Sequence, residues 1–144
     1  LLWRTSDISE IEKVTAKGGN WIILIKSATN VLKGDNFVFV YPEIMQNKII
    51  VRRGEVITKE ILEIKDLEFE NINSKINNLL KKTRDKIKLR GSIVNEITTK
   101  GDFIKKIRDS IDVNLKNKYL IEVVSLKDSK TAEAIIVEFN VTQL

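Results

Sequence analysis

The chain contains neither cysteine nor histidine. Ser-His-Asp and Cys-His mechanisms are therefore closed within it, as are ordinary structural zinc sites, histidine-ligated haem and Fe–S clusters. Without cysteine no disulfide can form, which points to a reducing, cytoplasmic setting. Proline occurs once and glycine six times in 144 residues, so no stretch reads as a flexible linker. A single domain over residues 1–144 is the expectation. The longest apolar run is Trp21–Ile25, far short of the roughly 20 residues a membrane-spanning helix needs, so no membrane partner is expected. The adjacent glycines Gly18-Gly19 lie in neither a G-x-G-x-x-G frame nor a Gly-Lys-Ser/Thr phosphate loop. No cofactor and no metal site is expected, and any catalysis would fall to carboxylates, lysine, tyrosine or hydroxyls, at most with a hard cation.

Hydrophobic residues make up 42% of the chain, enough for a packed core, and charged residues 31%, enough to solvate its surface. Heavy use of isoleucine and lysine is compatible with a thermophilic source, while Asn71, Asn73, Asn77 and Asn78 pull the other way.

Hydrophobic periodicity gives an α+β protein with a mixed or antiparallel sheet of about five to six strands. Asp7-x-x-Glu10 reads as a capping box opening a helix with Ile8, Ile11 and Val14 on one side, stopped by Gly18-Gly19. Trp21–Ile25 reads as a strand covered on both faces, and Phe37–Tyr41 as a second strand ended by Pro42. Lys48–Arg53 and Ile61–Lys65 read as further strands. Ile72–Leu89 is the clearest helix: Ile72, Ile76, Leu79, Leu80, Thr83 and Ile87 fall on one narrow stripe. A short helix over Ser92–Thr99 and another capped by Asp102 follow, the second burying Phe103, Ile104, Ile107 and Ile111. Tyr119–Leu126 and Ala134–Val141 form a hairpin. The core is expected to take in Trp21, Ile23, Ile25, Val38 and Val40. It should also hold Ile76, Leu79, Leu80, Ile107, Val123 and Ile136.

Charge is concentrated, not spread. Lys75 to Lys118 holds thirteen Lys/Arg and five Asp/Glu, a net of +8 in a chain whose total is +5. The polar face of the long helix carries Lys75, Lys81, Lys82, Arg84, Lys86 and Lys88, with Asp85 as its only acid. Arg90, Lys105, Lys106 and Arg108 extend the basic set. Such a surface attracts phosphates and gains from released counterions. These ten residues are the candidate nucleic-acid-binding positions, with DNA and RNA both open as partners.

Other patterns compete. Phe37, Phe39 and Tyr41 alternate on one strand face; the expectation is that the rings join the core, and the alternative is that they stack unpaired bases. Lys33-Gly34 and Phe37-Val38 resemble parts of the RNP1 pattern of RNA-recognition modules, while Asp35, Asn36 and Val40 depart from it. Ser92–Val113 followed by a hairpin can be read as a winged helix-turn-helix. Finally, Asp35 before a strand and Glu63-Ile64-Lys65, within the order helix, strands, helix, resemble the core of restriction-endonuclease-like nucleases. That likeness spans Asp7–Leu89 and implies a Mg²⁺-dependent nuclease using Asp35, Glu63 and Lys65, with Glu10 or Glu12 completing the site. The strand after Asp35 ends in Val51-Arg52-Arg53 and offers no carboxylate. The preferred reading is a non-catalytic, nucleic-acid-associated binding protein; the alternatives are that nuclease, active or degenerate, and a protein–protein interaction module. Apolar strands in a small sheet also leave an unpaired edge, for which a homo-oligomer or a protein partner is the expected cover.

Overall fold

The computed structural model describes residues 1–63, 69–110 and 118–144, with the side chains of Phe69, Glu70, Phe103 and Arg108 outside that description. The chain divides into two units, Leu1–Lys48 and Ile49–Leu144.

The first unit is a helix and a two-stranded ribbon. Helix α1 spans Thr5–Thr15. It begins earlier than the sequence pattern suggests. Asp7 is not the cap; it is the third helical residue, and its carboxylate accepts from the Arg4 N–H at 3.4 Å. An acid at that position satisfies an orphan donor at the helix entry, the role expected of Glu10. Strands β1 (Trp21–Ser27) and β2 (Val40–Gln46) pair antiparallel, with Ile23 opposite Ile44 and Ile25 opposite Pro42. Two expectations fail here. β1 is not covered on both faces: Trp21 and Ile23 are half-buried and Ile25 is exposed. Nor does Pro42 end a strand, since it lies inside β2. A two-stranded ribbon has open edges, where a missing N–H costs no ladder bond. Val40 is buried as expected, and Val38 is half-buried.

The second unit contains the main core. Strands β3 (Ile49–Val51), β4 (Val56–Leu62), helix α2 (Phe69–Leu89), β5 (Ile97–Thr99), helix α3 (Phe103–Ser110), β6 (Tyr119–Ser125), β7 (Ser129–Lys130) and β8 (Ile135–Gln143) follow in order. β3 pairs with β7. The larger sheet runs β4-β6-β8-β5, antiparallel except for β5, which lies parallel to β8. The expected α+β class with a long helix on a sheet is therefore what is found, with eight strands among the described residues shared between three sheets.

Register explains the core. Leu62 faces Tyr119, Glu60 faces Ile121 and Thr58 faces Val123, and the same side continues to Phe139 and Val137 on β8. That face is closed by α2, whose whole anticipated stripe is buried, from Ile72 through Ile76, Leu79, Leu80 and Thr83 to Ile87. Ile107 of α3 joins the same cluster. Gly91, at φ 102°, ends α2 in a left-handed turn: its N–H donates to the Lys88 carbonyl at 3.0 Å and that of Ser92 to Ile87 at 3.2 Å.

Three expectations are corrected by register. Ile135, not Ile136, points into the core. The fourth strand is Val56–Leu62, not Ile61–Lys65, whose later residues lie outside the described ones. Ser92–Thr99 is not a helix: Ile97, Thr98 and Thr99 pair with Ile135–Val137, which suits their branched side chains. The helix-turn-helix reading loses its first helix. α3 is present, with Asp102 Oδ1 accepting from the Lys105 N–H at 3.0 Å, as an N-cap should; Ile111 lies outside the described residues.

Candidate nucleic-acid interface

The basic residues of α2 separate into two lines when placed at 100° per residue. Lys75, Lys82 and Lys86 fall within roughly 40° of one another, on the flank that overhangs β4. They are occupied there. Lys82 Nζ lies 2.7 Å from Glu60 Oε2 and Lys75 Nζ 4.0 Å from Glu60 Oε1. Lys86 Nζ donates to the Ile57 carbonyl at 2.6 Å. Arg90, just past the helix, is held 2.6 Å from Glu55 Oε1 and donates to the Ile50 carbonyl at 3.2 Å.

Burial alone would raise the pKa of Glu55. The Arg52 N–H at 3.1 Å and the Arg90 guanidinium, with Lys86 nearby, outweigh it and hold the carboxyl below its ordinary value of 4.5. Four of the ten candidate residues thus serve the seam between α2 and the strands.

Lys81, Arg84 and Lys88 are different. They fall within roughly 60° on the side turned away from the sheet and span eight residues, about 10 Å of helix axis. All three are exposed, and among the described residues none is ion-paired. Asp85, also exposed, is the one acid beside them. On α3, Lys105 and Lys106 are exposed too, while the Arg108 side chain lies outside the described residues.

Asp35 and Glu63 of the nuclease-like reading lie next to strands that belong to different sheets. Asp35 closes a turn, its Oδ2 accepting from the Leu32 N–H at 2.8 Å, ahead of β2. Glu63 follows β4 and lies 3.3 Å from Lys118 Nζ. β2 pairs with β1 and β4 with β6, so the two strands are not neighbours in one sheet. Lys65 lies outside the described residues. Glu10 and Glu12 are exposed on α1. Among the described residues no three acidic side chains gather closely enough to hold a metal ion.

Sequence reasoning missed Glu55 and Glu60. Both lie upstream of the +8 segment, so a charge count by segment leaves them out although they neutralise part of it. The available signal was acid placed just ahead of the basic helix, Glu60 within Val56–Leu62 and Glu55 immediately before it. Sequence reasoning also favoured the core for the Phe37, Phe39 and Tyr41 rings, which the structure overturns. They are exposed, by 59%, 53% and 44%. Among the described residues no helix is long and apolar enough to cross a membrane. Comparison of the chain with known protein families, characterised proteins and solved structures gave no match.

Proposed function

We propose that the chain is a non-catalytic binding protein that takes nucleic acid on the outer side of α2. One observation carries this reading: Lys81, Arg84 and Lys88 form an exposed line without an ion pair among the described residues, while the other basic residues of the helix are tied to β4. A cation already matched by a carboxylate gains little from a phosphate, since one ion pair is exchanged for another. An unmatched one gains the Coulomb term and the released counterion together. Lys105 and Lys106 on α3, whose Ile107 joins the same core cluster as α2, add further exposed positive charge. Contacts of this kind hold the sugar-phosphate backbone and carry no base sequence. The absence of histidine, cysteine and a phosphate loop favours binding over chemistry.

The test is electrophoretic shift of generic DNA and RNA at two salt concentrations. Affinity should fall steeply with salt. Lys81→Glu, Arg84→Glu and Lys88→Glu together should weaken binding to both and flatten the salt slope by about 2 to 3. Micromolar protein that shifts nothing at low salt would sink the proposal and leave a protein–protein module as the better account.

A further inference from the structure

The exposed aromatic rings of the first unit are concentrated on one short segment. Tyr119 and Phe139 are in the core and Trp3 and Trp21 are half-buried, whereas Phe37, Phe39 and Tyr41 stand in solvent. Phe37 and Phe39 touch edge to face, with centroids 6.0 Å apart at 84°. A hollow of about 580 Å³ lies beside Phe39 and Tyr41 and reaches Arg4, Asp7, Ala28 and Thr29. Its shape follows from the backbone. The Ala28 N–H donates to the Phe39 carbonyl at 2.9 Å, so a residue with only a methyl group lies across from Phe39. On the other side the Leu2 N–H donates to Val38 at 2.8 Å and the Val40 N–H to Leu2 at 3.0 Å, which brings the chain from Leu2 to Arg4 along the rim.

We infer that this hollow takes an unpaired base, so that the nucleic acid bound is single-stranded. The inference rests on the proposed nucleic-acid reading and adds a second, chemically distinct contact to it. An unpaired base offers a π face and a hydrogen-bonding edge. The hollow offers Phe39 and Tyr41 for the first, and the Arg4 guanidinium, Asp7 carboxylate and Thr29 hydroxyl for the second. Among the described residues Arg4 has no ion pair, whereas Lys26, opposite Tyr41, is paired with Glu43. A guanidinium free to stack or to reach a phosphate is what a nucleotide needs beside a ring. An aliphatic peptide segment would cover the rings and leave Arg4 and Asp7 without matching groups. Bases inside a duplex are already stacked and cannot enter.

The experiment compares three probes with the full chain at fixed low salt: oligothymidylate, an abasic strand of equal length and a matched duplex. Oligothymidylate should bind on the order of tenfold more tightly than the abasic strand. Phe39→Leu with Tyr41→Leu keeps apolar volume, removes both rings and leaves the core untouched. In that variant, verified folded by circular dichroism, the ratio should approach one. The Lys81/Arg84/Lys88→Glu variant should lower affinity for both strands and preserve the ratio. Equal, salt-dependent affinity for both strands in the wild type overturns the base site while leaving the α2 surface. A ratio that survives the leucine variant also overturns it, as does duplex bound more tightly than oligothymidylate. No binding to any probe overturns both readings. Self-association lost in the leucine variant, with equal strand affinities, assigns the hollow to a protein contact instead.

Discussion

Thr83 sits fully buried in the apolar stripe of α2, where a valine would match the pattern better. Its hydroxyl donates to the Leu79 carbonyl at 2.7 Å and, its proton so used, accepts from Thr58 Oγ1 at 2.5 Å. The pair ties helix to strand. Thr83→Val keeps the shape but leaves the Thr58 hydroxyl without its partner, and should cost about 1–2 kcal/mol by chemical denaturation. Glu55 and Arg90 make a second tie, and this one titrates. A carboxyl whose folded pKa lies below 4.5 contributes stability above that pH and loses it as pH falls through the folded value. Glu55→Gln should therefore lower stability near pH 7 by about 1 kcal/mol, a figure kept small because both side chains are partly exposed. The gap between variant and wild type should narrow as pH falls below 4.5 and close once it passes the folded value. A gap that stays constant down to pH 3 would show that the glutamate acts by packing, not by charge.

Elements differ in how much of them the sequence reveals. α2 was legible because six positions at helical spacing define its buried side with no knowledge of a partner. β2 was not. Alternation of Phe37, Phe39 and Tyr41 described one continuous exposed-or-buried face, and nothing local says that the ladder with β1 begins at Val40 and runs through Pro42. The Ile135–Ile136 pair was legible from alternation that the sequence reading did not use: Ile135, Val137, Phe139 and Val141 share one strand face, and Ile136 shares the other with Glu138, Asn140 and Thr142. The candidate interface was half legible. Lysines can be counted along a helix, but Glu60 lies fifteen or more residues away from the lysines it holds. The two lines of α2 should respond oppositely to mutation. Lys82→Ala with Lys86→Ala should lower the melting temperature by several degrees, because a carboxylate and a carbonyl at the seam lose donors. Lys81→Ala with Lys88→Ala should leave the melting temperature within about a degree and weaken nucleic-acid binding instead. If both pairs affect stability equally, the division of the helix into a structural and a binding line is wrong.

At the scale of the whole molecule, the two units are unequally endowed. Every residue of the main hydrophobic cluster, from Ile50 to Phe139, belongs to Ile49–Leu144. In Leu1–Lys48 the one buried apolar side chain among the described residues is Val40, and α1 has none. A two-stranded ribbon with a single short helix buries too little apolar surface to offset the ordering of its own backbone. Stability should therefore be non-uniform along the chain, and hydrogen exchange measures it segment by segment. Amides in β6 and β8, central in the larger sheet and backed by Tyr119, Ile121, Val123 and Phe139, should exchange only through global unfolding. Amides in β1 and β2 should exchange faster by at least about two orders of magnitude, equivalent to some 3 kcal/mol less protection. Adding oligothymidylate separates this from a merely weak unit. If the Phe39–Tyr41 hollow holds a base, protection should rise in β2 and at Ala28, since a ligand that binds only the ordered ribbon stabilises it by mass action. Protection that rises along α2 alone would confine the contact to the basic line. Equal protection of β1, β2, β6 and β8 in the free chain would refute the unequal division of stability itself.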